Sequence, residues 1–381
     1  MAGLRELLRR YVDDGTVAGA VGLVARGDRV EVEAVGSADL EAGIPMARDT
    51  IFRFASITKS IVAAAAMMLV EDGRMALDDP VGEWLPELAS PVVVRTPESP
   101  LDDVVPAARP ITVADVLESR SGHGFPDDFG LPAVQTLFEV QRDGRDPQRV
   151  PPPAEWMAAL GRIPLVAQPG EEWLYNTSAD VLGVLIARVA GQALPGVLAE
   201  RVFGPLGMAD TGFAVPADAL GRFTAYYRPA PGGGLELVDP RDGQWSAPPR
   251  FPSGAGGLVS TADDWLAFAR MLLAEGDAGG RRLLSPESVR RMTTNHLTPG
   301  QRARSTLFLE GQGWGIGGSV DVEAIDPWNV PGRYGWVGGT GTSAYVVPAT
   351  GAAELLLTQL EMAGPTPPAL MRDFWRHAAG G

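Results

Sequence analysis

The chain has 381 residues, 45% of them hydrophobic, and a formal net charge of −15. That length and apolar content suit one large domain or two closely joined ones, and an acidic balance spread without long runs disfavours nucleic acid and anionic membrane surfaces as partners. Cysteine is absent, which excludes disulfides, a thiolate nucleophile and a zinc–thiolate site.

In chain order, Leu4, Leu7, Leu8, Tyr11 and Val12 beside Arg5, Arg9 and Arg10 have the spacing of an amphipathic surface helix. Residues 1–15 hold no apolar core followed by a small-residue cleavage site, so a cytoplasmic protein is expected. Residues 19–25 and 29–35 are apolar, β-branched runs joined by Arg26-Gly27-Asp28, a hairpin signal that predicts antiparallel strands. Residues 50–55 lead into a helix predicted over 56–71, apolar on every side from Ile61 and stopped at Gly73, hence buried in the middle of the molecule. Its unbroken apolar run, 61–70, is about half of what a membrane span needs.

From 78 to about 215 the pattern changes to short helices and loops with proline-rich connections at 100–110 and 147–153. The clearest helix covers 178–190, with Asn176, Thr177 or Ser178 as cap and Gly191 as stop. Strand patterns return from Phe213, with a glycine-rich stretch at 254–259 that suggests a bulge beside a site. Helices follow over 261–274 and from Ser285-Pro286-Glu287, strands over 314–322, 342–347 and 353–359, and a closing helix over 368–378. The expected fold is α+β: an antiparallel sheet flanked by helices, built from 1–78 and 216–381, with an all-α lobe inserted at 79–215.

Of the 32 lysine and arginine residues a single one is lysine, Lys59. Arginine cannot be deprotonated in a protein, whereas a buried lysine loses its proton readily, so the two are least interchangeable where a base is needed. Ser56 stands three positions earlier, at the start of the predicted helix, and positions i and i+3 share a helix face. A serine hydroxyl beside a desolvated amine is the minimum for an activated nucleophile. Histidine does not compete for the role of base, because His123, His296 and His377 stand in no recognisable triad and no Gly-x-Ser-x-Gly elbow occurs. No histidine pair has ligand spacing, so neither a metal nor another cofactor is expected. Arg53 is expected in a structural ion pair.

Phe54-Ala55-Ser56-Ile57-Thr58-Lys59-Ser60 resembles the Ser-x-x-Lys nucleophile motif of the serine β-lactamase and penicillin-binding-protein superfamily. Residues 169–183, centred on Tyr175-Asn176-Thr177, resemble the second motif of that family, and Gly335-Trp336-Val337-Gly338-Gly339-Thr340-Gly341 ahead of a strand resembles the third. Phe203-Gly204-Pro205-Leu206-Gly207-Met208 and residues 256–264 are similar to flanking stretches of its class C-like branch. The resemblance implies Ser56 as nucleophile with Lys59 and Tyr175 as its acid–base partners. It also implies an oxyanion hole from the backbone N–H groups of Ser56 and Gly339, and substrate contacts from Trp336, Val337, Gly338 and Thr177. Lys59 is expected to have a lowered pKa through burial, and Tyr175 to ionise more easily beside a cation.

Two departures bear on substrate. Thr177 stands where the Tyr triplet usually has Asn, and Trp336 stands where antibiotic-hydrolysing members carry lysine or histidine, which is similar to the family VIII carboxylesterases. An indole offers one N–H and no charge for a substrate carboxylate. The expected activity is therefore hydrolysis of an uncharged small-molecule ester through an acyl-enzyme on Ser56. A class C-like β-lactamase or D-amino-acid peptidase or amidase is the alternative, and a sensor that acylates without turning over a further one. Asn176 and Thr177 serve equally as helix caps or site residues at this level, and oligomeric state is open.

Overall fold

The computed structural model describes residues 3–141 and 146–380. Residues 1, 2 and 381, at the ends of the predicted body, and 142–145, within the predicted lobe, lie outside the described residues.

The hairpin signal becomes β1 (Gly19–Arg26) and β2 (Arg29–Asp39), paired antiparallel from Arg26↔Arg29 to Gly19↔Gly36. A short β3 (Ile44–Pro45) follows. The C-terminal part supplies β4 (Gly313–Trp314), β5 (Ser319–Val320), β6 (Tyr334–Gly338), β7 (Thr342–Val347) and β8 (Ala352–Thr358). Together they form one eight-stranded sheet in the order β4-β5-β6-β7-β8-β1-β2-β3, antiparallel throughout. Because β1 pairs with β8, from Ala20↔Thr358 to Arg26↔Ala352, the two ends of the chain share one sheet.

Five helices position the site: α1 (Leu4–Asp13), α2 (Thr58–Glu71), α3 (Thr177–Ala190), α4 (Ala262–Leu273) and α5 (Ala369–Gly380). Strand side chains alternate between faces. Val21, Leu23 and Ala25 of β1, with Leu355 and Leu357 of β8, join the core around α2, α3 and α4; Ala20, Val24 and Leu356 meet the apolar stripes of α1 and α5. Every residue of α2 from Thr58 to Leu69 is buried, so this helix has no solvent face and runs through the interior as its all-round apolar pattern requires. Its first turn is preceded by a 3-10 turn, Ala55–Ile57, which carries the serine.

Three segments differ from expectation for local reasons. The strand expected over 314–322 is broken into β4 and β5, because Gly315-Ile316-Gly317-Gly318 closes a turn with the Gly315 N–H bonded to the Gly318 carbonyl at 2.9 Å. The 79–215 stretch, expected to be all helical, also holds an antiparallel pair, Val92–Val94 with Val104–Pro106, where consecutive valines favour extended backbone. Residues 254–256 form a turn rather than a bulged strand, leaving only Val259–Ser260 extended. Arg53 does pair, at 2.6 Å with Asp239, and both side chains are buried. Among the described residues, no single helix is long and apolar enough to cross a membrane.

Candidate active site

Ser56 is held from both sides by backbone. Thr342 and Thr340 donate hydroxyl bonds to the carbonyls of Phe54 (3.0 Å) and Arg53 (2.7 Å), and the Phe54 N–H reaches the Leu258 carbonyl at 2.8 Å. The Thr58 hydroxyl accepts from the Leu258 N–H at 3.1 Å, and Ser60 Oγ donates to the Ile57 carbonyl at 3.1 Å. Locked between the β6–β7 hairpin and the 253–258 segment, Ala55 is driven to φ +46°, a left-handed conformation that costs a non-glycine residue about 1–3 kcal/mol. That strain stands next to the nucleophile and fixes the direction of its side chain.

Lys59 Nζ donates three hydrogen bonds: to Ser56 Oγ at 2.9 Å, to Asn176 Oδ1 at 2.9 Å and to the Ala255 carbonyl at 2.7 Å. The amine is buried, and desolvation lowers its pKa from 10.5 to about 7 against the opposing charge of Asp180. Asp180, on α3, is itself pushed up by burial while hydrogen bonds from Ser253 Oγ (2.6 Å) and the Ala255 N–H (3.1 Å) oppose the shift. The same carboxylate thus orients the peptide whose carbonyl receives Lys59. A close approach makes this possible: a Cβ at Gly254 would collide with the Ala179 carbonyl oxygen on α3, so only glycine lets the turn lie this near the helix.

The Tyr175 hydroxyl donates to Ser56 Oγ at 2.8 Å and accepts from Trp336 Nε1 at 2.7 Å. Its backbone is pinned by reciprocal 2.9 Å bonds with Phe125. Burial pushes the phenol up to about 12, outweighing the bonds from Ser56 and Trp336. The expectation of an easily ionised tyrosine is therefore reversed: Lys59 lies 4.7 Å from the Tyr175 ring centre, but the burial that raises the phenol also drives the lysine towards neutrality. An amine half of whose charge is lost near pH 7 stabilises a phenolate poorly.

The structure brings together Ser56, Lys59, Tyr175, Trp336, Val337 and Gly339, and leaves out two expected residues. All but Lys59 line a cavity of about 470 Å³; Lys59 lies just behind Ser56. Gly338 is not on its wall. A Cβ there would stand 2.5 Å from the Phe54 carbonyl oxygen and collide with Thr342, so this glycine is required for β6 to pack on the serine turn. At Gly339 a Cβ would meet nothing within 4 Å. Thr177 is fully buried away from the cavity, and its hydroxyl has no hydrogen-bond partner. The residue that enters the site is Asn176. With φ +76°, ψ −62° and the Thr177 N–H on the Tyr175 carbonyl, it makes a strained γ-turn, caps nothing and points its side chain at Lys59. Asparagine tolerates positive φ better than threonine does, which is the one sequence signal for its role. Replacing Thr177 by valine is accordingly expected to leave kcat/KM within about twofold and to hold or raise stability by up to about 1 kcal/mol, since a buried unpaired hydroxyl is removed. A tenfold loss of kcat/KM with unchanged melting temperature would return Thr177 to the binding site.

Trp336 also differs in its use. Its N–H is committed to Tyr175, so it meets the cavity with its ring and not as a donor. His123 is buried with Nε2 on the Ile163 carbonyl and its pKa lowered to about 4, and it does not line the cavity. No group of three metal-ligating side chains stands together among the described residues.

Residues 4–372 match the Beta-lactamase family model. Protein Rv1367c of Mycobacterium tuberculosis is 40% identical over 369 residues, covering 94% of this chain and 89% of its own. Esterase EstB of Burkholderia gladioli is 34% identical over 373 residues, covering 92% and 88%. Among solved structures, EstCE1, a hydrolase with promiscuous acyltransferase activity, superposes with a TM-score of 0.80 at 26% identity, over 98% of this chain and 97% of that one. With a serine, a lysine and a tyrosine converging on an eight-stranded antiparallel sheet and that match running over nearly its whole length, the chain belongs to the Beta-lactamase family.

Proposed function

We propose that the protein is a serine carboxylesterase that cleaves an uncharged small-molecule ester through an acyl-enzyme on Ser56. The observation that carries this reading is Ser56 Oγ bracketed by Lys59 Nζ at 2.9 Å and the Tyr175 hydroxyl at 2.8 Å, on the wall of a cavity lined by no lysine, arginine or histidine among the described residues.

The bonding pattern supports Lys59 as the base and Tyr175 as the acid. Asn176 Oδ1 and the Ala255 carbonyl can only accept. A neutral lysine satisfies them with its two N–H groups, and its lone pair is left facing Ser56 Oγ. Ser56 gives its proton to that lone pair as Oγ attacks the ester carbonyl, and the tetrahedral oxyanion lies between the N–H groups of Ser56 and Gly339. When the carbon–oxygen bond to the alcohol breaks, Tyr175 supplies the leaving oxygen with a proton, which the Lys59 ammonium makes good. Water then attacks the acyl-enzyme along the reverse path, releasing the carboxylic acid and restoring Ser56.

Antibiotic β-lactams and D-peptides bring a carboxylate, and a missing charge-assisted bond to it costs about 1.5–3 kcal/mol, or about 10- to 100-fold. A short-chain nitrophenyl ester is therefore expected to be turned over faster than a chromogenic cephalosporin by at least about tenfold. Mass spectrometry after a fluorophosphonate pulse should place the adduct on Ser56. Faster cephalosporin turnover would overturn the ester assignment, and an unlabelled Ser56 the nucleophile.

A further inference from the structure

The cavity beside Ser56 is walled by two sets of aromatic side chains. The first starts at Tyr175, whose ring lies 4.6 Å from that of Phe308. Phe308 meets Phe129 at 6.0 Å, Phe129 meets Phe138 at 5.9 Å and Phe125 at 6.3 Å, and Phe125 and Phe138 stack at 4.5 Å and 16°. The outermost ring, Phe138, is 42% exposed while still lining the cavity. Asp127 fastens this panel by accepting from the Leu307 N–H at 2.9 Å and Thr306 Oγ1 at 3.2 Å, which ties the Phe125–Phe129 segment to the turn that carries Phe308. The second set is the Trp156–Phe251 pair, 4.9 Å apart. Both sets line the same cavity, together with Trp245.

A continuous panel of rings, each held by its neighbour, offers π faces and edges in fixed places. It suits a rigid ring better than a flexible alkyl chain, which loses rotamer freedom on binding and gains no ring contact. Charge narrows the occupant further. The described lining residues include no lysine, arginine or histidine, so an anionic group finds no charge-assisted partner among them. The leaving alcohol must depart towards its proton donor, and the panel begins at that donor's ring.

We propose that the substrate is a neutral ester whose alcohol portion carries an aromatic or fused-ring group, laid along Phe308, Phe129, Phe125 and Phe138. The inference rests on the esterase reading through the role of Tyr175. Turnover breaks the bond between the acyl carbon and the alcohol oxygen, the ring alcohol leaves with a proton, and water cleaves the acyl group from Ser56.

The test compares butyrate esters of primary alcohols with similar leaving tendency: ethyl, n-octyl, 2-(2-naphthyl)ethyl and the same naphthyl alcohol bearing a ring carboxylate. The naphthylethyl ester is expected to exceed both alkyl esters in kcat/KM by about tenfold or more, and its carboxylate analogue by a similar factor. In Phe129→Leu and Phe308→Leu, checked for unchanged melting, the ratio of naphthylethyl to octyl turnover should fall by about tenfold. An octyl ester cleaved as well as the naphthylethyl ester, a ratio unmoved by both variants, or equal turnover of the carboxylate analogue would each overturn the ring site. Calorimetric binding of 2-(2-naphthyl)ethanol separates the two readings. If no butyrate is cleaved yet this alcohol binds and both variants weaken it, the esterase reading falls and the ring site stands; if the alcohol does not bind, the ring site falls regardless of turnover.

Discussion

Lys59→Arg is expected to lower kcat/KM by about 10³-fold or more, within about a factor of ten of Lys59→Ala, because general-base help of this kind contributes about 10²–10⁴-fold and arginine forfeits all of it. The substitution keeps donors for Asn176 and Ala255 but has no lone pair to offer Ser56 at any working pH. The pH dependence carries the same assignment. The base works when neutral; with the amine lowered from 10.5 to about 7, activity should fall as pH drops through about 7 and be complete above it. Tyr175, raised to about 12, keeps its proton across that range, so no loss is expected on the alkaline side up to about pH 10. Near-normal turnover by Lys59→Arg would refute Lys59 as the base, and an acid limb near the ordinary lysine value of 10.5 would refute the lowering of its pKa by burial.

The parts of this site that are legible in the sequence are those where one residue type is chemically irreplaceable. Lys59 stands out as the single lysine, and its spacing from Ser56 needs only helix geometry. The antiparallel body is equally readable, since the Arg26-Gly27-Asp28 turn and the alternation of Val21 and Leu23 with Ala20 and Val24 are local facts. Legibility ends where backbone conformation decides. Thr177 and Asn176 are neighbours, and the γ-turn at Asn176 alone determines which of them faces Lys59. Gly338 reads in sequence as a place where substrate nears the chain, whereas what nears it is the Phe54 carbonyl. Ala255 acts through its carbonyl, which leaves no mark in a sequence. The ring panel draws on residues as far apart as Phe125 and Phe308, and no period or motif links them. The reversal at the Tyr175 phenol has the same origin: its nearness to a lysine follows from motif order and that lysine's lowered pKa from the all-round apolar helix, but the burial of the phenol itself is a property of the assembled fold.

Tyr175→Phe tests the other half of the proton path, and its expected signature depends on the leaving group. Removing the hydroxyl should lower kcat/KM for an alkyl ester by about 10²–10⁴-fold, as for loss of a general acid. A nitrophenyl ester departs as a stable anion that needs no proton, so its loss should be smaller by at least about tenfold. Trp336→Phe probes the same oxygen from outside. It retains a ring in the cavity wall but removes the 2.7 Å N–H bond to the Tyr175 hydroxyl, which favours the phenolate formed as the proton leaves. One hydrogen bond to a developing charge is worth about 1.5–3 kcal/mol, so about a tenfold or greater loss is expected, again larger for the alkyl ester. Equal losses for both esters in Tyr175→Phe would mean that the tyrosine only orients Ser56, and would move the acid role to Lys59. Graded losses in both variants would identify Trp336 as a positioning residue for Tyr175. The indole would then have lost, by its bond to the phenol, the one donor with which it could have gripped a substrate carboxylate, and the preference for uncharged esters would follow from the proton path itself.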